Sequence, residues 1–333
     1  VATGRAAEMG LLFRKGTALE ALARADTVVL DKTGTLTRGK PTLVRVLPFG
    51  LSQEEALRLA AALERGSEHP LAKAVLEAAE SLPQAQAEEV RALPGEGVEG
   101  RVEGRRLHLG GPALMERLGV PLPEEAKALP EEGYTPLYLV EGTRLLAAFA
   151  VFDPPRPEAQ EAVAALKALG LKLVLLTGDH PAPARRVAEA LGIPEVLAGV
   201  RPEGKVEAIR RLQAEGRKVV FVGDGINDAA ALAQADVGLA MGSGTDIALE
   251  AGDVVLLTPD LRGVVNAVRL ARRTLRTIYL NFFWAYAYNV VLIPVAAGAL
   301  YPFTGLLLNP MLAAAAMSLS RLFILTNSLR LRA

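Results

Sequence analysis

The chain has 333 residues, enough for one large domain or two ordinary ones with their own cores. Its 37 lysines and arginines balance 37 aspartates and glutamates, so no overall basic field points to nucleic acid. With no cysteine and three histidines, a disulfide scaffold and a thiolate metal site are excluded and a histidine-rich zinc site is disfavoured. Hydrophobic residues make up 51% of the chain, high for a soluble protein, and the excess lies towards the C-terminal end. The chain opens on Val1 without a signal-peptide layout, and further sequence is expected upstream.

In chain order, Thr27 to Leu30 reads as a short buried strand that runs into Asp31 and a glycine-bearing turn. A region from about Pro48 to Val151 follows. It opens with a predicted helix over Ser52 to Arg65, with Ser52 as N-cap and Glu55 completing a capping box. A second helix follows Pro70, with short strands around Val98 to Leu109 and Pro136 to Val151. Beyond Pro154, Pro155 and Pro157 the pattern becomes helix and strand in alternation. Helices are predicted over Glu158–Leu169, Pro183–Leu191, Lys205–Ala214 and Asn227–Gln234. Strands are predicted over Leu171–Leu176, Lys218–Val222, Val237–Ala240 and Val254–Leu257. Such alternation predicts an α/β fold with a doubly wound parallel sheet, whose ligands collect at the C-terminal strand ends.

Three polar loops follow three of these strands: Asp31-Lys-Thr-Gly-Thr, Thr177-Gly-Asp and Gly223-Asp-Gly-Ile-Asn-Asp. One such loop is an ordinary turn more often than not; three at strand ends point to a site. Asp31 is the candidate nucleophile, because a carboxylate can attack the γ-phosphorus of ATP and split hydrolysis into two steps. The transferred group is heavily charged and needs cations and donors. Lys205 supplies a fixed positive charge, Thr177 a hydroxyl and Gly178 room for backbone approach. Asp224 and Asp228 are hard oxygen groups suited to Mg²⁺.

From Thr277 to Ser320 no residue is charged. That length predicts two transmembrane helices joined at Tyr301-Pro-Phe-Thr-Gly, with Tyr279, Trp284 and Tyr301 as interfacial anchors. Arg262, Arg269, Arg272, Arg273 and Arg276 precede the run and Arg330 and Arg332 follow it. The positive-inside rule therefore predicts a multi-pass cell-membrane protein with cytoplasmic catalytic domains.

Asp31-Lys-Thr-Gly-Thr-Leu-Thr37 resembles the phosphorylation signature of the P-type ATPases. Thr177-Gly-Asp179, Pro202-Glu-Gly-Lys205 and Gly223-Asp-Gly-Ile-Asn-Asp228 resemble that family's other phosphorylation motifs, in the same order. The resemblance implies a haloacid-dehalogenase-like phosphorylation domain and gives roles to its residues. Asp31 becomes the aspartyl phosphate, Thr177 and Lys205 bind phosphate, and Mg²⁺ is held by Asp31, the Thr33 carbonyl and Asp224. Asn227 and Asp228 support that site. Ser67-Glu-His-Pro-Leu resembles the nucleotide-domain signature of the heavy-metal members. It implies that Glu68 and His69 contact adenine, while Gly95-Glu-Gly97 resembles the glycine pair over which ATP lies. Where the family has Asn after Leu109-Gly110, this chain has Gly111, which removes or moves a nucleotide contact.

Tyr288-Asn289 in the first predicted span and Met317-Ser-Leu-Ser320 in the second resemble the copper-transporting subgroup, and a thioether suits Cu(I). Arg321 departs from that pattern, since a second Ser is expected there. The resemblance implies a stalk over 1–26, a phosphorylation domain over 27–47 and 153–262, an inserted α+β nucleotide-binding domain over 48–152, and a stalk with two spans over 263–333. Its implied partners are ATP with Mg²⁺, a heavy-metal cation such as Cu(I), the lipid bilayer, and an upstream actuator domain with earlier spans. Two readings stay open beside ATP-driven export: a soluble or tethered phosphatase of the same fold, and a remnant that only binds nucleotide. Phosphatases of that fold usually place a second Asp two residues after the nucleophile. Thr33 stands there instead, which favours a long-lived phosphoenzyme.

Overall fold

The computed structural model describes residues 2–225, 228–242, 251–296 and 310–332. The chain divides into two compact units, one of residues 1–28, 165–172 and 206–333 and the other of 29–164 and 173–205. The described strands form two sheets.

The seven-stranded sheet has the order β1-β13-β12-β11-β2-β9-β10. Its strands are β1 (Leu11–Phe13), β2 (Thr27–Asp31), β9 (Lys172–Leu176), β10 (Glu195–Leu197), β11 (Val219–Asp224), β12 (Val237–Met241) and β13 (Val254–Leu256). β9 pairs in parallel with β10, β11 with β12 and β12 with β13, while β1 closes one edge antiparallel to β13. The inner strands are runs of Val, Leu and Phe because both their faces are covered; every residue of β2 and β12 is buried. Helices Ala159–Ala168, Pro181–Leu191, Gly204–Ala214 and Ala229–Gln234 alternate with these strands, as the doubly wound pattern predicts. Asp31 ends β2, Thr177 directly follows β9 and Asp224 ends β11.

The second sheet is six-stranded and antiparallel, in the order β3-β8-β7-β6-β5-β4. It comprises β3 (Thr42–Pro48), β4 (Ala87–Leu93), β5 (Gly97–Val102), β6 (Arg105–Gly110), β7 (Thr135–Glu141) and β8 (Arg144–Phe152). Alternation along β7 and β8 sends side chains to two separate cores. Leu139, Ala147, Phe149 and Val151 join Leu59, Leu63 and Val75 from the helices Gln53–Glu64 and Pro70–Ala78. Tyr138, Val140, Ala148 and Ala150 face Leu114, Met115 and Leu129. Tyr138 donates its hydroxyl to the Ala126 carbonyl at 2.8 Å, and burial pushes its phenol up to about 12.

Ser52 caps the first of these helices, accepting from the Glu55 N–H at 3.1 Å. Only half of the predicted capping box forms. Glu55 turns instead to Arg58, whose guanidinium donates to it at 2.7 and 3.1 Å. A charged partner one turn along outcompetes the neutral Ser52 N–H.

The two membrane spans expected between Thr277 and Ser320 fall partly outside the described residues, and among the described residues no helix is long and apolar enough to cross a membrane. The helix Arg262–Ala296 carries five arginines before its apolar part, which is then interrupted by Tyr279, Asn281, Tyr286, Tyr288 and Asn289. The helix Pro310–Leu329 contains Arg321 and Asn327. Residues 297–309, which include the expected link, lie outside the described residues. Both helices nevertheless display bare apolar side chains, among them Phe282, Tyr286 and Val291 on the first and Leu322 and Phe323 on the second.

Ser52→Ala removes one side-chain cap and is expected to cost about 1 kcal/mol, read as a lower urea midpoint at unchanged m-value.

Candidate active site

The loop after β2 is a tight reversal, with Gly34 at φ +80 allowing the chain to turn back. Thr37 closes it: its N–H donates to the Lys32 carbonyl at 3.0 Å, and its hydroxyl donates to Asp153 at 2.6 Å. Arg156 clamps the loop from outside, donating from Nε to the Thr35 carbonyl at 2.8 Å and from Nη2 to the Gly34 carbonyl at 3.0 Å. Two buried polar atoms here, Thr35 Oγ1 and Asp153 Oδ1, have no hydrogen-bond partner among the described residues, which carries a desolvation cost. Neither Asp153 nor Arg156 stood out as a site residue in the sequence. Their available signal was the Asp153-Pro-Pro-Arg156 run just where the pattern changes.

Asp31 is buried at the base of this loop, and Lys205 Nζ donates to its Oδ2 at 3.3 Å. Lys32, also buried, pairs with Asp179. The main chain after β9 is pinned by the Thr177 N–H to the Leu197 carbonyl and by the Val200 N–H to the Thr177 carbonyl, both at 3.0 Å. Thr177 Oγ1 accepts from the Asp179 N–H at 3.1 Å, which leaves its own proton to donate. Gly178 has no room for a side chain without crowding: a Cβ would lie 3.2 Å from the Val200 carbonyl. Thr33 is exposed.

In the other unit, β11 ends on Asp224, and the buried Asp228 is tied back to it. The Asp224 N–H donates to Asp228 Oδ2 at 3.2 Å, and the Asp228 N–H donates to the Asp224 carbonyl at 3.0 Å. Gly223 is required here, since a Cβ would meet Asp228 Oδ2 at 2.8 Å and the Phe221 ring at 2.6 Å. Asn227 lies outside the described residues. Among the described residues no group of three or more His, Cys, Asp or Glu side chains is placed to hold a metal ion.

A cavity of about 450 Å³ opens beside the six-stranded sheet, lined by Glu64, Ser67, His69, Gly95 to Val98, Gly110, Gly111 and His180 among others. His69 caps the helix Pro70–Ala78, with Nδ1 accepting from the Leu71 N–H at 3.2 Å. That bond puts the neutral ring's proton on Nε2, as a donor. Glu68 is exposed and outside this lining; Glu64 is in it instead. The turn joining the Ser67 N–H to the Glu64 carbonyl at 3.0 Å returns the chain so that Glu64 and His69 share one cavity. Burial pushes the Glu64 carboxyl up to about 7. Gly95 has open space at its Cβ position, whereas a Cβ on Gly97 would lie 2.1 Å from the Leu109 carbonyl. Gly97 is thus required by the neighbouring strand, and Gly95 leaves the cavity open. Gly111 also has open space.

Of the residues read for a transported ion, Tyr288 is half-buried and Asn289 exposed on the helix Arg262–Ala296. Met317 and Ser320 lie on the helix Pro310–Leu329, but their side chains are outside the described part.

A family model for haloacid dehalogenase-like hydrolases matches residues 25–236, which hold Asp31, Thr177, Lys205 and Asp224. The chain belongs to the haloacid dehalogenase-like hydrolase family. Among these hydrolases its similarity is to P-type ATPases. It is 51% identical over its full length to Copper-transporting ATPase 1 of Rhizobium meliloti, covering 41% of that protein. It is 43% identical, again over its full length, to a copper-exporting P-type ATPase of Legionella pneumophila, covering 46%. It thus spans less than half the length of these curated relatives. A crystal structure of a zinc-transporting PIB-type ATPase in its E2·Pi state superposes with a TM-score of 0.78 at 38% identity, over 100% of this chain and 54% of that one. The catalytic domain of the CPx-ATPase CopB-B superposes at 0.65 with 28% identity, over 80% of this chain and 98% of that one.

Two outcomes follow from this geometry. Arg156→Ala is expected to destabilise the protein by about 2 kcal/mol, and Arg156→Lys not to restore it, since an ammonium lacks the fork that bridges two carbonyls; urea unfolding of both variants checks this. Glu64 holds its proton more tightly in the native state than at the ordinary value of 4.5, so native stability falls as pH rises from about 4.5 to about 7. Glu64→Gln is expected to be more stable than the parent by up to about 3 kcal/mol at about pH 8 and unchanged at about pH 4, measured by unfolding at both.

Proposed function

We propose that this chain is the catalytic part of an ATP-driven heavy-metal exporter, with Asp31 as the phosphorylated residue. The observation that carries the reading is the Lys205–Asp31 pair at 3.3 Å at the base of a clamped loop. A buried carboxylate held beside a fixed ammonium suits attack on a polyanionic phosphorus. An Asp31 oxygen bonds to the γ-phosphorus as the bond to the β-phosphate bridge oxygen breaks, and ADP leaves with that electron pair. Thr177 donates its free hydroxyl proton to a phosphoryl oxygen, and Lys205 balances the charge.

The oxygen donors fit Mg²⁺, which is usually held by one or two carboxylates plus substrate phosphate rather than by an all-protein cage. By the resemblance to P-type ATPases, Asp31, the Thr33 carbonyl and Asp224 would hold it, with Asp228 and Asn227 in support, and it would neutralise phosphate charge. ATP's base fits the cavity at Glu64 and His69, with Gly95 leaving space for the nucleotide. Glu64 takes the role that the sequence suggested for Glu68. Because Thr33 stands where phosphatases of this fold carry a second Asp, nothing at that position activates water, and the phosphoenzyme is long-lived.

The cation is proposed to be Cu(I), supported by the names of the relatives and by Tyr288, Asn289, Met317 and Ser320. The bare apolar surfaces of the two C-terminal helices support a membrane location with the catalytic units cytoplasmic. Metal transport and phosphoenzyme release then require an actuator domain and further spans from the rest of such a protein.

Incubation with γ-labelled ATP and Mg²⁺ is expected to give an acid-stable, alkali-labile phosphoenzyme that is absent in Asp31→Asn. Label persisting in that variant would sink the assignment of Asp31. Rapid turnover of small phosphate esters without accumulated label would instead identify a phosphatase.

A further inference from the structure

The arginines of the two C-terminal helices do more than flank an apolar run. Arg273, Arg276, Thr277 and Leu280 fall at helical spacing on one face of the helix Arg262–Ala296. Asn327, Arg330 and Leu331 do the same at the end of the second helix. The two faces meet around a cavity of about 310 Å³ lined by these seven residues. The crossing is fastened by polar side chains: Asn327 Nδ2 donates to Asn281 Oδ1 at 2.8 Å, and Asn281 Nδ2 donates to Ser328 Oγ at 3.0 Å. Arg273 donates to the Arg330 carbonyl at 3.3 Å.

Three arginines line this cavity, and among the described residues no carboxylate does. No Asp or Glu occurs after Asp260. The carboxylates on elements packed against these helices are already engaged, Glu20 by Arg24 at 3.1 Å and Glu8 by Arg5 at 3.2 Å. On the other side of Arg276 and Leu280 lies a second cavity, of about 460 Å³, walled mainly by Leu275, Tyr279, Leu280 and Phe283. A bidentate cationic pocket thus adjoins an apolar trough, and Arg276 borders both. The ligand matching that pair is an amphiphile with an anionic phosphate at one end and a hydrocarbon chain at the other.

We infer that Arg273, Arg276 and Arg330 form a binding site for the headgroup of an anionic phospholipid, whose acyl chain lies along Leu275, Tyr279 and Phe283. Only the source of the ligand rests on the membrane location proposed above; the binding itself needs neither ATP nor phosphorylation of Asp31. The test is intact-protein mass spectrometry of the full chain in detergent, titrated with phosphatidylglycerol or phosphatidylcholine. Phosphatidylglycerol is expected to bind in preference, and Arg276→Gln with Arg330→Gln to weaken it by about tenfold or more. Arg276→Gln alone gives an intermediate loss. Arg269→Gln, which removes the same charge outside the cavity, is expected to change binding less than about twofold. Circular dichroism confirms that each variant is folded. Equal binding of phosphatidylcholine, or an equal loss in Arg269→Gln, overturns the site. Displacement of the lipid by millimolar inorganic phosphate overturns the lipid assignment in favour of a free phosphate ligand.

Discussion

Everything at the candidate site depends on a chain reversal that must stay open to substrate yet hold its shape. The segment from Asp31 to Thr37 is too short to have a core. Its shape comes from polar bonds: the Thr37 hydroxyl to Asp153, and the Arg156 fork on the carbonyls of Gly34 and Thr35. Both partners follow β8, the last strand of the inserted sheet in sequence and the neighbour of its first strand β3, more than a hundred residues along the chain. The insertion therefore returns with the two residues that lock the loop it left. A planar guanidinium suits this task because it bridges two carbonyls while remaining charged at any working pH.

The inserted sheet shows how close backbone packing shapes the cavity beside it. The sheet is covered on both faces, so its strands are fixed by two cores, and the cavity forms where backbone must come close to backbone. Gly97 and Gly110 are register partners, and a side chain at either would collide with the neighbouring main chain. The carboxylate in this cavity is held where water is scarce, and its raised pKa reflects desolvation.

The C-terminal helices repeat the theme of polar groups deciding geometry. The Asn281–Asn327 bond joins these helices where they cross. Around it the apolar side chains stay exposed and the arginines gather at one level. Charge and hydrocarbon are thereby separated along the helix axis, as expected of a segment made for an interface.

How much of this was legible in the sequence follows from burial. The inner strands β2, β9, β11, β12 and β13 were readable because each is a short apolar run covered on its faces. The strands β1, β3, β4 and β10 were not, and all four are sheet edges. An edge strand such as β4 keeps most of its side chains in solvent, so no alternation marks it. Asp31, Lys205 and the Thr177 loop were legible as a candidate site because phosphoryl chemistry demands particular residue types. Which glutamate joins His69 was not, since neighbours in sequence point apart and only the turn after Glu64 brings it back. The sequence alone determined the fold class and the candidate chemistry of Asp31, because both follow from local pattern and residue type. Tertiary structure decided the Arg156 clamp, the place of Glu64 and the meeting of Arg273, Arg276 and Arg330, because each joins residues whose proximity depends on how distant segments pack.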